Sequence, residues 1–199
     1  MNFASMKLIY MFSCIGLGLI ILSPTLFAVV SFPENEKISE MWILGSNHMF
    51  ESGVFNVSKN KLETVFLGVS NYMGDLEYYT VFAKFRNQSE PLPNITGGFP
   101  SPLEPIFEYR MFLSNNETLE KNFIFSFEEI SFEAETARVS KLSINGNDVV
   151  VDKTIAWDDE KSGFYCQLFF ELWIYNASTS SFQFHNRSVW FWLNLVETL

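Results

Sequence analysis

The chain has 199 residues and a formal net charge of −10, from 23 acidic and 13 basic side chains. That balance excludes nucleic acid as a partner, since phosphate contacts need a basic face, and it argues against flat adhesion to anionic lipid. Twenty-two phenylalanines favour half-buried strands over helices.

Residues Leu8 to Phe32 form an uncharged run of 25 residues. At about 1.5 Å per residue a helix of that length exceeds the ~30 Å hydrocarbon core, so a single transmembrane anchor is expected, with a local kink at Ser23-Pro24. Lys7 is the only charged side chain before the run, whereas Glu34, Glu36 and Glu40 follow it. The excess of positive charge on the cytoplasmic side then predicts a cytoplasmic N-terminus and an exported remainder in the cell membrane. A cleaved signal peptide is the competing reading, but its apolar region is usually only roughly 7–15 residues long. The chain is therefore divided into 1–32, a cytoplasmic stub and anchor, and 33–199, an extracytoplasmic domain. With Lys7 removed, the outer domain keeps 12 basic against 23 acidic residues, a formal −11.

Period-two alternation marks strands across Thr64 to Val69, across Glu77 to Phe85, and through Phe123, Phe125 and Phe127. Residues Pro91 to Pro105 hold five of the seven prolines and read as a loop or irregular crossover. Glu117 to Lys121 reads as one possible helical turn. Ala137 to Ile144 and Val149 to Val151 flank Asn145-Gly146, which supplies the positive φ angles of a tight hairpin. Tyr165 to Tyr175 is almost wholly apolar, as suits a central strand, and Phe182 to Leu195 returns after a turn over Asn176 to Ser181. Seven or eight strands with regular turns predict a mainly β fold, an antiparallel immunoglobulin-like β-sandwich behind one N-terminal transmembrane helix.

Six Asn-x-Ser/Thr triplets occur, at Asn56, Asn87, Asn94, Asn116, Asn176 and Asn186, and all follow the apolar run. Most sit at predicted turns, where a glycan fits and where Asn and Ser are common anyway.

Two short segments resemble an uncharacterised, largely archaeal membrane-protein family, domain-of-unknown-function family 1616. They are Ser39-Glu40-Met41-Trp42-Ile43-Leu44-Gly45, and Leu67-Gly68-Val69-Ser70-Asn71 with Glu77-Tyr78-Tyr79-Thr80-Val81. The resemblance covers Phe32 to the C-terminus and implies the extracytoplasmic portion of such proteins. Longer members carry several transmembrane helices before this portion, whereas one is expected here, so no role of the others is carried over. After Gly45 the chain departs from the family pattern, reading Met49-Phe50-Glu51-Ser52-Gly53-Val54-Phe55. No activity comes with the resemblance.

Signatures of chemistry are weak. His48 and His185 lie 137 positions apart with no cysteine near either, which does not suit a metal site. Cys166 sits mid-strand in an apolar run where thiolate is disfavoured. Asp158-Asp159-Glu160 lacks the alternating spacing of a calcium loop. No catalytic, cofactor or metal residue is assigned, and the chain is read as a non-enzyme. Exposed tryptophans could still stack on a ligand, and Trp157, Trp190 and Trp192 are the candidates, the last two sharing strand parity. The expected function is a membrane-anchored interaction or structural module of the cell envelope. A carbohydrate-binding module is the alternative, so the partner sought is an envelope protein or a glycan.

Overall fold

The computed structural model describes residues 7, 10–19, 37–49 and 54–197. The chain divides into two units, Met1–Glu36 and Lys37–Leu199. In the first, residues 10–19 are helical. Among the described residues no helix is long and apolar enough to cross a membrane. The rest of the expected span from residue 8 to 32 lies outside them.

The second unit is mainly β. Its strands are β1 (Ile38–Leu44), β2 (Val54–Val57), β3 (Glu63–Tyr72), β4 (Glu77–Arg86), β5 (Phe107–Leu113), β6 (Glu117–Phe132), β7 (Thr136–Ile144), β8 (Asn147–Asp158), β9 (Gly163–Asn176) and β10 (Ser181–Leu195). The expected strands are all present, and β1, β2 and β5 are additional. Glu117 to Lys121 is not a helical turn. It begins β6, where pairing with β3 from Asn71↔Glu117 to Val65↔Phe123 supplies backbone partners that no isolated turn offers.

All ten strands belong to one continuous sheet that curls into two layers. One layer runs β1-β3-β6-β7-β8, and the other runs β2-β10-β9-β4-β5. The layers join where β8 leaves β7 and pairs with β9 through Trp157↔Phe164 and Asp158↔Gly163. The pairing is antiparallel except for β2, which lies parallel to β10. The wholly antiparallel expectation is therefore corrected at that edge: a parallel neighbour needs a long crossover, and nearly the whole domain separates β2 from β10.

The core follows from alternation. Phe123, Phe125 and Phe127 point inward from β6 and are fully buried. They meet the opposite layer directly: Phe123 stands edge-on to Phe170 at 4.9 Å, Phe125 tilts against Phe191 at 5.7 Å, and Phe127 meets Phe85 at 6.0 Å. Burial of each such ring is worth ~1.5–3 kcal/mol, so this seam binds the two layers together. A bulge between Val139 and Lys141 shifts the inward parity of β7, from Ala137 and Val139 to Leu142 and Ile144. The Asn145-Gly146 turn has φ of 49° and 79°, as the tight hairpin requires.

A directed chain of hydrogen bonds closes one rim of the sandwich. Tyr79 Oη donates to Asn71 Oδ1 at 3.1 Å, so its one proton is used and Ser39 Oγ must donate to it at 2.6 Å. The Ser39 hydroxyl proton is then used too, and His185 Nε2 donates to Ser39 Oγ at 3.1 Å. Asn71 Nδ2 finishes the chain on the carbonyls of Asp75 and Leu113. Four strands, β10, β1, β4 and β3, are linked through side chains that are themselves satisfied. Ser39 and Asn71 come from the two segments quoted for the family resemblance, and they are direct partners in the β1–β3 ladder.

Candidate functional site

The outward face of the β10-β9-β4-β5 layer carries unusual side chains for a solvated sheet surface. Strand register arranges them in rows. The first row is Phe112, Tyr78, Tyr175 and Phe182, and the second includes Arg110, Thr80, Trp173 and Phe184. Then come Glu108, Phe82 and Glu171, followed by Lys84, Phe169 and Trp190, and then Arg86, Gln167 and Trp192.

The first row is open. Phe112 is 63% exposed and Tyr175 is 37% exposed. Tyr78 stacks on Phe112 at 4.2 Å and meets Phe182 edge-on at 5.0 Å, and the Arg110 guanidinium lies 5.9 Å from the centre of the Phe182 ring. The result is a rigid aromatic strip across four strands with a cation at its edge.

The middle rows are sealed. The Pro-rich segment 87–106 passes over them as the loop expected from its composition, and it is held by an ion pair that has left water. Lys84 Nζ lies 2.9 Å from Glu171 Oε2, and the two side chains are 4% and 0% exposed. Each charge also bonds the loop: Ser101 N donates to Glu171 Oε1 at 2.7 Å, and Lys84 Nζ donates to the Ser101 carbonyl at 2.7 Å. Trp173 Nε1 gives Glu171 a further donor at 3.2 Å. The start of the same loop covers the outer edge of β8, with Asn87 Nδ2 donating to the Thr154 carbonyl and Gln88 Nε2 to that of Ala156.

The tryptophan candidates separate. Trp190, 44% exposed, lies on this outward face beside Phe169. Trp192 shares the face, as its parity predicted, but the Lys161 ammonium sits 4.3 Å above its ring and occupies it. Trp157 is elsewhere, at the corner where β8 passes between layers. Its ring is 42% exposed and braced edge-on by Phe164 at 5.0 Å. Three clefts of about 430, 370 and 460 Å³ meet at this one indole. The structure therefore does not gather the three tryptophans into one platform.

The sequons also separate. Asn56, Asn94, Asn116 and Asn186 are exposed, and Asn116 and Asn186 adopt positive φ at turn and bulge positions. Asn176 is half-buried, its Oδ1 accepting from Ser178 N. Asn87 is built into the loop: its Oδ1 accepts from the backbone N–H groups of Ser89 and Glu90. That is turn chemistry, an Asx side chain satisfying its own backbone.

Among the described residues no three His, Cys, Asp or Glu side chains converge as a metal site needs. His48 stacks on Phe66 at 3.9 Å and lies 3.4 Å from Glu120, at the surface. Cys166 is a free thiol, fully buried, and burial pushes its pKa well up, which leaves it without nucleophilic character. Burial and the neighbouring Arg187 hold the His185 pKa below its ordinary value, whereas burial raises that of Tyr79.

No family model matches the chain, and no curated protein matches it. Several solved structures are loosely similar. A CARDB domain from Pyrococcus furiosus, solved with di-metal ions, aligns over 83% of this chain and 94% of its own, at 11% identity and a TM-score of 0.39. The complex of zinc 2-glycoprotein and prolactin-inducible protein from human seminal plasma aligns over 82% and 100%, at 9% identity and a TM-score of 0.38. PapD-like domain 7 of human CEP192 aligns over 85% and 97%, at 7% identity and a TM-score of 0.35. Likenesses this distant transfer neither a family nor a function to this chain.

Proposed function

We propose that this chain is a membrane-anchored display protein. Its immunoglobulin-like sandwich stands outside the cell membrane and binds a protein of the envelope through the open aromatic strip. It performs no chemistry of its own. The observation that carries this reading is the row of Phe112, Tyr78, Tyr175 and Phe182, flanked by Arg110. Tyrosine, phenylalanine and arginine packed rigidly on a strand surface are the composition of interface cores, and a contiguous apolar patch on a domain otherwise rich in charge marks a contact surface. The formal −11 of the outer domain selects a partner of net positive charge. Export is supported by the uncharged run of residues 8–32, by the single Lys7 before it, and by the absence of sequons within it.

Two experiments test the parts separately. Protease treatment of intact cells, with a tag at each terminus, is expected to remove the C-terminal tag and spare the N-terminal one; protection of the C-terminal tag until the membrane is opened defeats the topology. A photo-crosslinking side chain at position 112 on intact cells is expected to give one discrete adduct, and the same probe at exposed Val150 to give none. Recovery of monomer alone from position 112 defeats the interaction reading.

A further inference from the structure

We propose that the corner around Trp157 binds a neutral polysaccharide, with one sugar ring stacked on the indole and its hydroxyls bonded to the carboxylates and amides beside it. The corner is separate from the Phe112 row, and the proposal does not rest on the protein-binding reading above.

Three features of the corner carry it. The first is a fixed, accessible ring. Trp157 is held at its backbone by donation to the Glu135 carbonyl at 2.9 Å and by pairing with Phe164, yet its side chain remains 42% exposed. Among the described residues its indole N–H has no protein acceptor, unlike that of Trp173, which is spent on Glu171. The second is space. The three clefts around the ring have volumes within the range of small-ligand sites, and Trp157 forms a wall of each.

The third is the polar chemistry of the walls. One cleft is lined in part by Asn194, whose Nδ2 donates to Asn56 Oδ1 at 3.0 Å and whose Oδ1 is turned inward against Gly163. Gly163 lets that side chain pack close, since a Cβ there would stand 2.5 Å from Asn194 Oδ1. Glu133, Glu135, Asp159 and Glu197 add acceptors around the clefts, and among the described lining residues there is no lysine or arginine. Acceptors around an exposed ring suit a ligand that is rich in hydroxyl donors and has C–H faces. Acidic glycans are repelled, and a purely apolar ligand would strip water from these carboxylates without replacing its hydrogen bonds. Trp190 is the internal contrast, since it is equally exposed but lines none of the three clefts.

Affinity electrophoresis of the full-length protein in detergent, in gels cast with laminarin, mannan or hydroxyethylcellulose, tests the proposal. Retardation by at least one of these neutral polymers is expected, with the apparent Kd raised by about tenfold in Trp157→Ala and unchanged in Trp190→Ala. Alginate and heparin are expected to give no retardation. A second readout holds even if Trp157→Ala fails to fold. In the native protein, oligosaccharides of the retarding polymer should shift the indole N–H resonance of Trp157 and leave that of Trp173 in place. Retardation by no neutral polymer, equal retardation by the polyanions, a folded Trp157→Ala that binds like the native chain, or an unmoved Trp157 resonance each overturns the proposal. None of these results bears on the crosslink at position 112.

Discussion

Two halves of one sheet face behave differently. Where Phe112, Tyr78, Tyr175 and Phe182 lie, the face is open and its rings touch mainly each other. Where Lys84, Phe169 and Glu171 lie, on two of the same strands, the residues are buried under segment 87–106. Aromatic content does not separate the halves. The difference is a pair of opposite charges that each hydrogen-bond the same residue of the covering loop, Ser101. An apolar surface alone would accept many loop positions, whereas a buried carboxylate and ammonium accept few.

The largest test of that contrast is to remove one charge. Glu171→Ala leaves the Lys84 ammonium buried and unpaired and is expected to lower stability by ~3–5 kcal/mol in denaturant unfolding. It should also speed hydrogen exchange at the Ser101 amide, which loses Glu171 Oε1 as its acceptor. The double replacement Lys84→Met with Glu171→Leu is expected to recover most of the loss, because two matched apolar side chains leave no bare charge. Phe112→Ala on the open half should cost under about 0.5 kcal/mol, as an exposed surface substitution. A comparable loss at both positions would mean that the two halves are not different in kind.

Between these extremes lies the rim network. Tyr79→Phe removes the hydroxyl that joins Ser39 to Asn71; Asn71 Oδ1 keeps the Met73 N–H, but the Ser39 hydroxyl loses its acceptor, and the change is expected to cost ~1–3 kcal/mol. The smallest effect is a pH dependence at the same place. The His185 pKa is lowered in the folded state, so below its ordinary value near 6.5 the unfolded chain takes up the proton first. Stability is therefore expected to be full at neutral pH and to fall as the pH drops through and below 6. His185→Gln should flatten that slope without abolishing folding. An unchanged slope in the variant would place the acid sensitivity elsewhere.

Much of the fold was legible because it is local. Alternation at Phe123, Phe125 and Phe127 reports which face of β6 is buried, and Asn145-Gly146 reports a turn whose φ angles few other pairs tolerate. The apolar run from Tyr165 to Tyr175 reported a strand covered on both sides, though by two different agents: the opposite layer on one face and a proline-rich loop on the other. The candidate site was less legible. Exposure of Trp157 could not be read from its neighbours in sequence, and the parity shared by Trp190 and Trp192 placed them on one face without showing that Lys161 caps the second. β1, β2 and β5 passed unnoticed because short edge strands need only one neighbour, so their pattern is weak.

By itself the sequence determined the acidic surface, the uncharged N-terminal run, the mainly β character, and the inward parity of most strands. These depend on composition and on side chains two positions apart. Only the tertiary structure decided that Lys84 meets Glu171 across 87 positions, that Ser39, Tyr79, Asn71 and His185 form one directed chain, and that Trp157 stands at the seam between layers. Those pairings depend on register and on the path of a loop. Both are set by burial of the whole core, not by any segment alone.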